Sequence, residues 1–256
     1  MLEIMKTVKH IVAIIVILLA FGNCTKESAD SAAANASGAG GSTAKFTLSG
    51  NYLYVVDNTS LKAFQVADPQ HPVYKSKTEV GINIETIFPY EDKLFIGSSS
   101  SMYIYSLTNP DQPQRIAKAD YNIVRMSCDP VIAKDSVAYA TLRATGRCGW
   151  AQSALVAYNI KNIASPVQVS TTAVSSPFGL GMKDNALYVC QANLGMFVYN
   201  ITNRYNPVYA RTISGDTFYD VIPYGNILIA QIEGGLALYD IGTNPLQPVF
   251  ISKILQ

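Results

Sequence analysis

One short phrase recurs five times along this chain: an aspartate or asparagine, three further residues, then proline. It stands at Asp68-Pro69-Gln70-His71-Pro72, Asn109-Pro110-Asp111-Gln112-Pro113, Asn162-Ile163-Ala164-Ser165-Pro166, Asn203-Arg204-Tyr205-Asn206-Pro207 and Asn244-Pro245-Leu246-Gln247-Pro248. The final prolines lie 41, 53, 41 and 41 residues apart. A fixed period of this size marks a stacked or radial array of one supersecondary unit, and it constrains the fold more than any other feature.

Alignment on the prolines gives five units, each with four short apolar segments separated by turn residues, which predicts strands at regular spacing. The first segments are Phe46 to Leu48, Ile84 to Pro89, Cys128 to Ala133, Phe178 to Met182 and Phe218 to Pro223. The second are Tyr52 to Val56, Lys93 to Gly97, Val137 to Leu142, Ala186 to Cys190 and Ile227 to Gln231. Between them lie Gly50-Asn51, Glu91-Asp92, Asp135-Ser136, Asp184-Asn185 and Gly225-Asn226, residue types that tolerate the positive φ of a tight hairpin. The third segments, typified by Met196-Phe197-Val198-Tyr199-Asn200-Ile201, are apolar on both alternating faces and are expected to be covered on both sides. The proline phrase follows, then a fourth segment. Proline suits an edge strand or a strand's first residue, so the fourth strand is expected outermost and the first innermost.

Four antiparallel strands per unit, buried on both faces and repeated five times, predict an all-β chain: a five-bladed β-propeller of four-stranded antiparallel blades. A linear solenoid needs polar end caps, and neither end of the array shows one. Because the first and last units each hold all four strands, the ring is expected to close by packing blade five against blade one. That seam should then be its weakest interface.

The Gly-Asn hairpin, the Tyr-rich strand and the Asn-Pro-x-x-Pro link together resemble the LVIVD-repeat family of bacterial propeller lipoproteins. The likeness covers Lys45 to Leu255 and is greatest in the third unit, at Cys128-Asp129-Pro130-Val131 and Arg147-Cys148-Gly149. Lys93-Leu94-Phe95 lacks the family's Tyr-x-Tyr, and units three and four lack the first proline. The resemblance implies a propeller fold and an envelope location and assigns no chemistry.

Three regions follow from composition: 1–23, 24–44 and 45–256. The first has Lys6 and Lys9 ahead of the apolar run Ile11 to Phe21, short of the ~20 residues of a membrane span and suited to a secretory signal. Phe21-Gly22-Asn23-Cys24 resembles a bacterial lipobox, which makes Cys24 the expected site of lipidation, with cleavage after Gly22 by ordinary signal peptidase as the alternative. Thr25 after the cysteine, rather than aspartate, fits export to the outer membrane. The second region is Ser, Ala and Gly with few charges and reads as a disordered tether with a reach of roughly 25 Å. The third is the propeller.

Without the first region the chain has 17 basic and 17 acidic residues, so no electrostatic footprint for nucleic acid exists. His71 is the single histidine outside the signal, and it lies in a turn, which excludes His-dependent triads and clustered His metal sites. No phosphate loop, dinucleotide fingerprint or calcium loop occurs; no metal and no cofactor are expected. Carboxylates remain: Glu85 and Asp129 fall in one column of the first strand and Asp220 one column away. All three could approach the channel, as acid and base carboxylates do in five-bladed glycosidases. The competing reading is that they cap strand ends or bind channel water.

Four cysteines occur. With Cys24 assigned to lipid and Cys190 in an apolar strand, Cys128 and Cys148 remain and are expected to pair in an oxidising compartment, at about 3 kcal/mol. A metal-binding pair is the alternative. The 53-residue step places extra residues around Asp120 to Met126 and from Arg143 to Ser153, at one end of blade three. They would gather Tyr121, Arg125, Arg143, Arg147 and Trp150 into a candidate binding face; the alternative is that Trp150 folds inward as packing. The resulting expectation is a lipid-anchored envelope propeller that binds or assembles with an envelope protein or glycan. A carbohydrate-active hydrolase is the second reading and a purely structural envelope protein the third.

Overall fold

The structure, a computed structural model, describes residues 41–121, 130–144 and 152–255. It contains twenty strands in five four-stranded antiparallel sheets, and every sheet runs in sequence order. Blade 1 is β1 (Phe46–Ser49), β2 (Tyr52–Val56), β3 (Ser60–Gln65) and β4 (Val73–Glu79). Blade 2 is β5 (Ile84–Tyr90), β6 (Lys93–Ser98), β7 (Ser101–Ser106) and β8 (Gln114–Asp120). Blade 3 is β9 (Val131–Lys134), β10 (Val137–Leu142), β11 (Ala154–Asn159) and β12 (Val167–Ala173). Blade 4 is β13 (Leu180–Lys183), β14 (Ala186–Cys190), β15 (Met196–Asn200) and β16 (Val208–Ile213). Blade 5 is β17 (Phe218–Tyr224), β18 (Ile227–Ile232), β19 (Gly235–Asp240) and β20 (Val249–Leu255).

The first strands line the axis, with β1 against β5, β5 against β9, β9 against β13 and β13 against β17. The fourth strands are outermost and largely exposed.

Each turn signal does the same work in every blade. The first residue of the hairpin between strands one and two has positive φ five times over, at Gly50, Glu91, Asp135, Asp184 and Gly225. The link is a turn closed by its own first residue: the amides of His71, Gln112, Ser165, Asn206 and Gln247 donate to the carbonyls of Asp68, Asn109, Asn162, Asn203 and Asn244 at 2.9–3.1 Å. The side chains of Asp68, Asn162, Asn203 and Asn244 also accept from the amide two residues on. This is why the phrase needs an acidic or amide residue four positions before the proline that starts the outer strand. A bulge follows Ala63, Ile104, Ala157, Val198 and Leu238, so all five outer strands bend at one register, which makes an exposed edge a poor template for further pairing.

Four apolar clusters hold the blades together, one at each seam from blade 1 to blade 5. Tyr54, Leu61 and Ala63 pack on Leu94, Ile96 and Tyr105; Phe95 and Ile104 on Ala138, Ala140 and Tyr158; Val137 and Tyr139 on Leu187, Val189 and Tyr199; Tyr188 and Val198 on Leu228, Ala230 and Tyr239. Three tyrosines add a hydroxyl bond to the next blade's link: Tyr54 to the Pro110 carbonyl (3.0 Å), Tyr139 to that of Arg204 (2.5 Å) and Tyr188 to that of Pro245 (2.7 Å). The repeat's tyrosine is therefore an inter-blade fastener, and blade 2, with Phe95, makes only the apolar part.

The expected closure of blade 5 on blade 1 is not what the structure has. Among the described residues no apolar cluster joins them. Phe46 is 63% exposed and Leu48 43% on one side, Ile227 38% and Leu236 37% on the other, whereas Leu94 and Ile96 inside the array are 0% exposed. Blade 5 has Ile229 in the column of Tyr54, Tyr139 and Tyr188, so it has no hydroxyl to offer a following link.

Candidate functional site

Two concave features meet at the axis. The first is an apolar cavity of about 240 Å³ lined by one triplet from each of four inner strands: Phe88 to Tyr90, Ile132 to Lys134, Leu180 to Met182 and Val221 to Pro223. Ser42 forms part of its wall. The second is a groove of about 580 Å³ in the open seam, lined by Ile222, Ile229, Gln231 and Leu236 of blade 5 and by Gly41, Thr43 and Ala44. The segment 41–44 thus borders both.

Asp220 on β17 is the polar centre of this region and is 7% exposed. Its Oδ1 accepts from Ser42 Oγ (3.1 Å) and from its neighbour's amide, Val221 N (2.9 Å); its Oδ2 accepts from Thr43 Oγ1 (2.7 Å) and Thr43 N (3.4 Å). Burial pushes its carboxyl above the ordinary 3.8, while the bonds from Thr43, Val221 and Ser42 oppose the rise. Among the described residues no lysine or arginine pairs with it.

The carboxyl is also boxed in. A Cβ on Gly179 would stand 2.0 Å from Asp220 Oδ1, and one on Gly41 2.1 Å from Oδ2, so these two positions favour glycine while the carboxyl holds this place. Blades 4 and 5 are tied together around it by paired amide bonds between Ala192 and Phe218 (3.1 Å each) and by Gly179 N to the Tyr219 carbonyl (2.8 Å).

The carboxylates aligned by sequence have separate fates. Asp220 is committed to the segment 41–43. Glu85 stands half-buried at the β5 bulge between Ile84 and Thr86, and Asp129 lies outside the described residues. Of the candidate binding face, Tyr121 is 7% exposed and its ring meets Tyr158 at 6.4 Å. The Arg143 guanidinium lies over the Phe178 ring at 4.0 Å, and Phe178 meets Tyr219 edge-on at 5.5 Å. These two side chains pack within and between blades. Arg125, Arg147, Trp150, Cys128, Cys148 and Cys24 lie outside the described residues. Cys190 is fully buried, and burial pushes its thiol well up.

Sequence reasoning missed the role of Ser42 and Thr43, which it placed in the tether. The only local signal was Gly41-Ser42-Thr43 itself, and nothing in that triplet points to a partner 178 positions away.

No family model matches the chain, and no curated protein matches it in sequence. Solved structures do. The periplasmic gluconolactonase PpgL of Pseudomonas aeruginosa aligns with a TM-score of 0.62 at 12% identity, over 80% of this chain and 68% of that one. BamB of Moraxella catarrhalis aligns at 0.52 and 11%, over 82% and 60%, and the computationally designed protein Ika8 at 0.56 and 10%, over 82% and 60%. The chain spans about 60 to 68% of the length of these structures. At such identities the likeness is one of fold: a β-propeller, here of five blades.

Proposed function

We propose that this protein is a lipid-anchored propeller of the bacterial cell envelope, probing its surroundings on a short tether and acting there as a binding or assembly module for an envelope protein or glycan. Cys24 and the apolar run before it support the anchor, and the Ser/Ala/Gly stretch supports the tether. The observation that carries the binding reading is the open seam. Phe46, Leu48, Ile227 and Leu236 lie exposed on the two end blades, whereas the counterparts of Phe46 (Ile87, Val131, Leu180 and Val221) and of Leu236 (Leu61, Met102, Leu155 and Met196) are all buried, and an exposed apolar surface marks an interaction site. Tyr121 is packed inside, and Arg125, Arg147 and Trp150 of the candidate face at the end of blade three lie outside the described residues, so the reading rests on the seam.

The test is photo-crosslinking in intact cells from a reactive residue at Leu236, with the same residue at Lys118 on the outer strand of blade 2 as control. A discrete adduct from Leu236 alone, lost in Ile229→Asp, is the expected result. Equal adducts at both positions, or none at Leu236, would remove the seam as the binding surface. For the anchor, Cys24→Ser is expected to abolish incorporation of labelled fatty acid; incorporation that persists would refute lipidation at that residue.

A further inference from the structure

The axial cavity has one polar side. Pro89, Ala133, Met182 and Pro223 form one level of its wall, each two residues before the hairpin of its blade. The prolines carry no N–H. The amides of Ala133 and Met182 lie on the inner edge of their sheets: Lys134 with Val137 and Lys183 with Ala186 close the two hairpins in regular register, such closing pairs exchange both of their bonds, and alternation turns the preceding amide the other way. Leu180 N, on the same edge as Met182 N, accordingly donates to Ser42 Oγ at 2.7 Å. Among the described residues neither the Ala133 amide nor the Met182 amide has an acceptor outside its sheet.

Lys134 follows Ala133 and is the one charged residue of the wall, half-buried there. Among the described residues it pairs with no carboxylate. Polar groups thus gather on β9 and β13 at the hairpin end of the cavity. Asp220 stands beyond the other end, in the column before Val221, and its oxygens are already taken by Ser42, Thr43 and Val221 N. Between these ends the side chains of Ile132, Leu180 and Val221 offer only hydrocarbon. The carbonyls of Ala133 and Met182 lie on the same inner edge as their amides, so it is the charge of Lys134 that decides the sign of a matching head group. One positive charge matches one negative charge, which favours a carboxylate over a doubly charged phosphate.

We propose that the axial cavity is a binding site for a small monocarboxylic acid with a short hydrocarbon body. The carboxylate is held at the hairpin end by the Lys134 ammonium and the free amides of Ala133 and Met182, and the body lies against Ile132, Leu180 and Val221. The size fits. An apolar cavity of about 150 Å³ is enough to take benzene, so the 240 Å³ present here takes a chain of roughly six carbons together with its head group. The site is separate from the seam as a contact surface, and either can fail without the other.

The test titrates the full chain with hexanoate, hexan-1-ol, hexylammonium and acetate, and follows the Ala133 and Met182 amides and the Leu180 methyls by nuclear magnetic resonance. Hexanoate is expected to shift all of these signals saturably. Hexan-1-ol, which lacks the charge, and acetate, which lacks the body, should each bind about tenfold more weakly, and hexylammonium should not saturate. Lys134→Met keeps a stem of similar length and should lower hexanoate affinity about tenfold, to that of hexan-1-ol, at an unchanged melting temperature. Met182→Trp fills the cavity and should abolish binding of hexanoate and hexan-1-ol alike. Hexanoate that fails to saturate the unaltered protein would overturn the proposal. So would equal affinities across the head-group series, an affinity unmoved by Lys134→Met, or shifts confined to the seam around Leu236. The head-group series needs no variant, so the proposal stays testable even where a substitution disturbs folding.

Discussion

The seam between blades 3 and 4 and the seam between blades 5 and 1 are built from the same columns of the repeat and reach opposite states. At the first, Tyr139, Leu187 and Val189 are fully buried, and the Tyr139 hydroxyl is fastened to the Arg204 carbonyl. At the second, Ile229 replaces the tyrosine, Leu53 and Val55 stand only half-buried where the aliphatics of the first are sealed, and the only described bridge is the polar segment on Asp220. The apolar pattern is sufficient for a strand to join a blade. It does not by itself close a ring, because closure also needs the two end faces to meet at the curvature set by the four interior seams.

The largest difference is expected from truncating equivalent positions at the two seams. Tyr139→Ala leaves a cavity and an unsatisfied carbonyl in a sealed interface and should cost about 3–5 kcal/mol. Ile229→Ala should cost less than about 1 kcal/mol. Reversible urea unfolding checks both, and equal losses would mean that the seam is closed in solution.

A middle-sized effect is expected from pH at Asp220. Its carboxyl is raised above 3.8 by burial, so the folded protein holds this proton more tightly than the unfolded chain does. The contribution is fully present below the unfolded value and is lost as pH rises through the folded one. The stability of the unaltered protein relative to Asp220→Asn should therefore fall as pH increases from about 4. Parallel pH profiles for the two proteins would show that the carboxyl is not desolvated.

The smallest is the hydroxyl fastener. Tyr54→Phe removes its bond to the Pro110 carbonyl and should cost about 1 kcal/mol. Phe95→Leu, at the position where blade 2 has no hydroxyl to lose, should change stability through packing alone, and its melting should show no loss of a polar contact to the blade 3 link.

Local chemistry made most of the fold legible. The hairpin turn residues, the Asx-to-proline links and the strands fall where the repeat places them, because each depends on residues within a few positions of one another. The third blade's first strand starts at Val131, with Cys128 and Asp129 outside the described residues. What local patterns could not carry was long-range. Asp220 shares its neighbourhood in the alignment with Glu85 and Asp129 and looked like a channel carboxylate. Its actual partners come from a stretch whose composition reads as tether. Likewise the exposed state of Phe46 or Leu236 cannot be read from its residue type, since apolar residues in the same columns are buried one blade away, at Ile87 and Met196.

The central claim is that the faces of blades 1 and 5 are uncovered while the four interior seams are sealed. Hydroxyl-radical footprinting of the dilute full chain, read by mass spectrometry, measures this side chain by side chain. The account predicts strong labelling of Phe46, Leu48 and Leu236 with protection of Leu94, Phe95 and Leu187. Protection of both sets alike would show a closed ring and contradict it.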